Sequence, residues 1–231
     1  QAAGLTCHFG DFIAVDQLDI SIPRGAIYGF IGSNGSGKTT TIRMLCGLLR
    51  PTAGEAHILG YDVAADTAKV KQHIGYMSQK FSLYHDLTAL ENMDFYAGLY
   101  GLSGQRKKDR IAAVLSLMQL TEKSRVLAGR MSGGQKQRLA LGCAILHEPE
   151  ILILDEPTRG IDVGAKAEVH KIMAALAEAG KAVIMISSEL PEILGMSHRV
   201  MVLHEGRKTG EFSREELDQE QIMACATGHQ R

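Results

Sequence analysis

Apolar residues cluster along the first third of the chain in short runs, at 5–9, 15–22, 26–31, 56–59 and 74–77, each bounded by turn-forming residues. Runs of that length with such boundaries predict strands. One helix interrupts them, because Ile42, Leu45, Leu48 and Leu49 recur at helical spacing after Lys38. From Leu87 to about Leu146 the period changes to that of helices: Leu90, Met93 and Phe95 mark one, and Ile111, Val114, Leu115 and Met118 another. That block reads as a helical insertion. Strands return at 151–154, 182–186 and 199–203, separated by an amphipathic helix over 165–179 whose apolar face is Val169, Ile172, Met173 and Leu176. The alternation predicts β-α-β units and a parallel sheet with helices on its faces.

The turn between the third strand and the first helix carries chemistry. It reads Gly32-Ser33-Asn34-Gly35-Ser36-Gly37-Lys38-Thr39-Thr40. Glycines let successive backbone N–H groups turn inward around phosphate oxygens, Lys38 adds a positive charge for the β/γ-phosphates, and Thr39 offers a hydroxyl to Mg²⁺. The helix that follows points its positive end at the same anion. A chance glycine-rich turn would lack the strand before it and the helix after it, so a nucleoside triphosphate is the expected ligand.

A second element answers the first. The run 151–154 ends in Asp155-Glu156, and a strand buried on both faces delivers its C-terminal residues to the sheet edge where α/β proteins bind ligands. Asp155 there can hold Mg²⁺, directly or through water, and Glu156 can polarise the water that attacks the γ-phosphate.

Charge and cysteine usage narrow the partners. A formal net charge of -1 over 231 residues argues against a nucleic-acid binder. The basic cluster Arg106-Lys107-Lys108-Asp109-Arg110 reads as the solvated first turn of a helix. Cys7, Cys46, Cys143 and Cys225 are scattered with no metal-binding spacing, as reduced core thiols are. No apolar run reaches the ~20 residues that span a bilayer, so membrane contact is expected only through a partner. An opening without methionine suggests a piece of a longer polypeptide.

The third element is Met131-Ser132-Gly133-Gly134-Gln135-Lys136-Gln137-Arg138. Physically it is another anion site, with Ser132 capping a helix and Gly133 and Gly134 at its positive end. With the phosphate loop, Gln79 and Asp155-Glu156, the chain closely resembles the nucleotide-binding domain of ATP-binding cassette (ABC) transporters along essentially its whole length. The resemblance implies an α/β fold: a P-loop NTPase (RecA-like) core with an antiparallel β subdomain over 1–78 and 150–231, and an inserted helical subdomain over 79–149. It implies ATP and Mg²⁺, with Thr39, Gln79 and Asp155 at the metal. It also implies a head-to-tail dimer in which Ser132, Gly133, Gly134 and Gln135 touch the γ-phosphate held by a second ABC ATPase domain, and Asp162 lies in the segment crossing that interface. A transmembrane permease subunit or domain would dock near the Gln79 loop, placing the chain at the cytoplasmic face of the inner or plasma membrane. Phe9 falls where an aromatic ring stacks on adenine, though a lone Phe reads equally well as core.

One position departs from the family. Where most members carry a histidine at the γ-phosphate, this chain has Ser188, in Ser187-Ser188-Glu189-Leu190-Pro191. A serine hydroxyl is shorter than imidazole and neutral at pH 7, so slow hydrolysis is expected; both serines also suit a helix N-cap, with Pro191 in the first turn. His198, ten residues on, is not expected to substitute. Residues 75–149 resemble bacterial multidrug-type exporter ATPases, whereas 155–166 and 187–196 resemble the C-terminal cassette of monosaccharide importers, which share the serine. The expected role is ATPase of a small-molecule or drug exporter; the rivals are a sugar-importer cassette, a low-turnover dimerisation switch and a soluble non-transport ABC protein.

Overall fold

A two-residue turn at Gly10 and Asp11, with Gly10 at φ 60, folds β1 (Ala2–Phe9) back onto β2 (Phe12–Ile20). In the computed structural model, which describes residues 1–79 and 83–228, β3 (Ile27–Ile31) then feeds the glycine loop and α1 (Lys38–Leu45). β4 (Ala53–Ile58) and β5 (Tyr61–Asp62) complete a four-stranded antiparallel sheet in the order β2-β1-β4-β5. Next come α2 (Thr67–His73), β6 (Ile74–Met77), α3 (Ala89–Leu99), α4 (Gly104–Leu117) and α5 (Gly133–Ala144). The chain closes with β7 (Ile151–Asp155), α6 (Val163–Glu178), β8 (Ala182–Ile186), α7 (Leu190–Met196), β9 (Arg199–His204), β10 (Arg207–Ser213) and α8 (Gln219–Ala226).

The second sheet runs β10-β9-β3-β8-β7-β6, parallel except for β10 at its edge. Its central strands are apolar throughout because both faces are covered. On β3, β7 and β8, Ile27, Leu152, Leu154, Val183 and Met185 pack into the core shared with the helices α3 to α6. The alternate residues Tyr28, Phe30, Ile153, Ile184 and Ile186 enter a second core with the antiparallel sheet and α1. Leu154 of β7 pairs with Met77 and Asp155 with Ile186, which also faces Phe30 of β3. The C-terminal ends of β6, β7, β8 and β3 therefore meet at one edge.

Several expectations need correcting. Helix α1 ends at Leu45 and Gly47 takes φ 63, so Leu48 lies outside the helix and is 57% exposed. A left-handed glycine there is a helix stop. Leu90 and Phe95 point outward, because the inner face of α3 follows Ala89, Met93 and Ala97 at four-residue spacing. The basic cluster is not wholly solvated: Arg110 donates to the Leu146 and Ile145 carbonyls at 2.9 and 2.8 Å, and Lys107 pairs with Asp94 at 2.7 Å. Helix α6 begins at Val163, capped by Asp162. Lys80, Phe81 and Ser82 of the exporter-like stretch lie outside the described residues. Cys7, Cys46 and Cys143 are buried and Cys225 partly so, all as free thiols.

Candidate functional site

The phosphate loop is shaped by its glycines. A Cβ on Gly32 would lie 2.2 Å from the Leu203 carbonyl oxygen, and one on Gly37, held at φ 100, would lie 2.7 Å from the Ala14 carbonyl. Only glycine fits either place. Gly37 is also the N-cap of α1 and supplies no side-chain cap, which leaves first-turn N–H groups for a ligand. Lys38 Nζ donates to the Gly32 and Ser33 carbonyls at 2.7 and 2.9 Å, within 3.4 Å of Ser36 Oγ. Burial draws the Lys38 ammonium below its ordinary pKa, and Glu156 and Asp155 oppose that.

Across from the loop, β7 ends at Asp155, and Gln79 and Ser188 each follow their strands, β6 and β8, by two residues. Burial raises the Asp155 carboxyl, while a backbone N–H of Gln79, Lys38 and Arg43 pull it back. Glu156, at φ 54, donates its N–H to the Ile186 carbonyl at 2.9 Å. A left-handed non-glycine residue is uncommon and costs energy. Its carboxyl is likewise raised by burial, and lowered by hydrogen bonds from the Ser188 hydroxyl, at 3.1 Å to Oε2, and the Ser188 backbone N–H. Ser188 is therefore not a helix cap. The N-cap of α7 is Glu189, whose N–H donates at 3.0 Å to Ser187 Oγ, and Pro191 sits in its first turn as expected.

These groups share one cleft of about 380 Å³. Asn34, Gly35, Ser36, Lys38, Thr39 and Thr40 form one wall, and Gln79, Asp155, Glu156 and Ser188 the other. Phe9 opens toward the cleft at 53% exposure, which removes its reading as a core side chain. Phe12, its cross-strand partner in the hairpin, lies beside it at 63% exposure and was not anticipated. Its signal was local: the only partner that Phe9-Gly10-Asp11-Phe12 can give Phe9 across a tight turn is Phe12. Arg159 also lines the cleft.

The segment from Ser132 to Gln135, and Asp162, lie elsewhere. Ser132 caps α5 by accepting from the Gln135 N–H at 3.3 Å, and Gln135 Oε1 accepts from the Ser132 N–H at 3.1 Å. Gly134 is buried where a Cβ would approach Ala165 to 2.4 Å, so α5 leans on the start of α6. Gly133 and Ser132 remain exposed. The Asp162 carboxylate accepts from the Ala165 N–H at 2.9 Å. None of Ser132, Gly133, Gly134, Gln135 and Asp162 lines the chain's own cleft. His198 is far from it, accepting the Ile27 N–H at 3.0 Å at the opposite end of β3.

The donors fit Mg²⁺. Thr39, Gln79 and Asp155 present hard oxygen atoms to one cleft, as that ion requires. Among the described residues no cluster of three or more His, Cys, Asp and Glu could hold a metal by itself.

A family model described as ABC transporter matches residues 15–159. The chain is 39% identical to the probable multidrug ABC transporter ATP-binding protein YbhF of Escherichia coli, over 90% of this chain and 36% of that one. It is also 39% identical to a putative ribose/galactose/methyl galactoside import ATP-binding protein of Geobacillus kaustophilus, over 92% of this chain and 44% of that one. The chain thus spans less than half the length of either relative. The dimeric post-hydrolysis structure of the ATP-binding cassette MJ0796 bound to ADP and Pi superposes with a TM-score of 0.81 at 25% identity, covering 92% of this chain and 97% of that one.

Proposed function

The chain belongs to the ABC transporter family, and on that premise we propose that it is the ATP-binding and ATP-hydrolysing cassette of a transporter exporting a small molecule or drug. One observation carries the reading: the phosphate loop with Lys38 faces Gln79, Asp155, Glu156 and Ser188 across a single cleft. The loop amides and Lys38 bind the phosphates, and Phe9 stacks on the base. Thr39, Gln79 and Asp155 hold Mg²⁺, which when bound neutralises phosphate charge. Glu156 holds and polarises the attacking water. Its raised pKa is the direction expected of a general base.

Ser132, Gly133, Gly134, Gln135 and Asp162 serve a second chain. Each stands outside its own cleft, and the MJ0796 cassette of the same fold is dimeric with ADP and Pi bound. The working unit is a head-to-tail pair with ATP between, each chain having its core over 1–78 and 150–231 and its helical subdomain over 79–149. The permease docks on that subdomain, where Leu90, Phe95, Ile111 and Leu115 line an open groove of about 560 Å³ between α3 and α4. No helix among the described residues is long and apolar enough to cross a membrane; it is the permease that would hold the chain at the cytoplasmic face of the inner or plasma membrane. Export is favoured because residues 75–149, which present this groove, carry the exporter resemblance; sugar import is the second reading, favoured by Ser188.

Ser188 spends its hydroxyl on Glu156, and hydrolysis is accordingly slow. Glu156→Gln should lower turnover by at least about 100-fold while ATP still binds and the ATP-bound dimer accumulates, read by light scattering. Turnover at the parent's rate would remove Glu156 from its role. Ser188→His should raise turnover; a parent that is already fast, with no gain from histidine, ends the slow-hydrolysis reading.

A further inference from the structure

Buried and outside the lining of the cleft lies a carboxylate that no step above uses. Glu192, in the first turn of α7, has a side chain only 4% exposed. Its Oε1 accepts from the Thr158 hydroxyl and lies 2.5 Å from His170 Nε2 on α6. Its Oε2 accepts from the Ser187 hydroxyl at 2.5 Å. Thr158 and Ser187 are each 1% exposed.

The placement of those partners gives the cluster a use. Thr158 follows Glu156 by two residues, and Ser187 immediately precedes Ser188, which bonds back to Glu156 at 3.1 Å. A closed ring runs Glu156, Thr158, Glu192, Ser187, Ser188 and back to Glu156. A carboxylate taken out of water is costly unless its lone pairs are filled, and an apolar side chain would pack α7 at less cost. Glu156 meanwhile holds φ 54, a conformation that persists only where the surroundings over-determine it. Of the two segments whose meeting sets that residue, each has one hydroxyl on Glu192.

We infer that Glu192 is a positioning residue of the active site, tying the segment after Glu156 to the segment carrying Ser188 so that Ser188 stays bonded to the Glu156 carboxylate. This rests on the reading of Glu156 as the water-polarising group, and the test separates the two. Glu192→Gln keeps the side chain's size but removes the negative charge and one acceptor oxygen.

The decisive readout is whether Glu192→Gln acts through Ser188. Turnover should fall between about tenfold and about 100-fold with KM held within about twofold, the pattern of a misaligned group at a nucleotide site still intact. In the Ser188→Ala background the same substitution should cost much less than in the parent, because the bond it would loosen is already gone. A folded Glu192→Gln with the parent's turnover, or one whose loss is the same in both backgrounds, overturns the inference. Should Glu192→Gln fail to fold, Ser187→Ala cuts one arm and leaves Glu192 with Thr158 and His170, and the same comparison of backgrounds decides. Glu156→Gln tests the other reading separately: if it still hydrolyses ATP while the losses are coupled, positioning stands and the general-base reading falls; if it is dead while the losses simply add, the reverse holds.

Discussion

The two walls of the cleft are held in place by different means. The loop from Gly32 to Thr40 takes its form from backbone: glycines at places where a Cβ would collide with the Leu203 and Ala14 carbonyls, and Lys38 bonded to the loop's own carbonyl oxygens. Opposite, Glu156 and Ser188 owe their meeting to a side-chain cluster in which Thr158, His170 and Ser187 each bond to Glu192. On the reading proposed above, backbone shape serves binding, which needs a concave array of N–H groups, and a side-chain network serves turnover, which needs one carboxylate aimed within fractions of an ångström. The two should therefore fail separately.

The largest effect is expected at the loop. Gly37→Ala puts a Cβ 2.7 Å from the Ala14 carbonyl oxygen at φ 100, so the loop must move. ATP affinity measured with a fluorescent analogue should drop roughly 100-fold, about 3 kcal/mol, whereas the ¹³C titration of the Glu156 carboxyl should stay where it was. A shift of that titration would show that the walls are not independent.

The same contrast explains what the sequence disclosed. The loop's information is local: nine consecutive residues between a strand and a helix suffice. Asp155-Glu156 was legible for a similar reason, as the end of an apolar run. Helix faces with clean four-residue spacing were readable, as at Val169, Ile172, Met173 and Leu176, all of which are buried. Where aromatic or leucine residues stand outside the buried stripe, as Phe95 and Leu48 do, hydrophobicity misled, since it reports transfer preference and not which side faces the core. The Glu192 cluster left no trace at all. A glutamate in a seven-residue helix looks like a solvated surface residue, and its partners sit 5, 22 and 34 positions away. Ser188 was misread in part as a cap for the same reason: its actual acceptor lies 32 residues upstream.

A pH experiment sharpens the comparison on the network side. Burial alone would raise the Glu192 carboxyl, but bonds from His170, Ser187 and Thr158 outweigh that and hold it at about 2 against an ordinary 4.5. The folded value lies below the unfolded one, so the ionised carboxylate stabilises the fold fully above pH 4.5, and that stability is lost as the pH falls toward 2. The stability advantage of the parent over Glu192→Gln in urea unfolding should shrink over this window by an amount on the order of 2 kcal/mol. An advantage that is flat between those limits would mean that ionised Glu192 is not what binds the segments together.

The smallest effect asks which wall Ser188 serves. If its hydroxyl acts on the Glu156 carboxylate, as the 3.1 Å bond indicates, Ser188→Ala removes an interaction that lowers the Glu156 pKa against the upward push of burial. A general base works only when ionised, so activity is lost as pH falls through its pKa. The acid limb of the pH–rate profile should then move to higher pH, by about half a unit for one hydrogen bond, with ATP affinity unchanged. A serine that stood in for the family's histidine at the γ-phosphate would do the opposite: its loss would weaken ATP binding and leave the acid limb in place. Because the two outcomes fall on different observables, the acid limb and the ATP affinity together assign the residue.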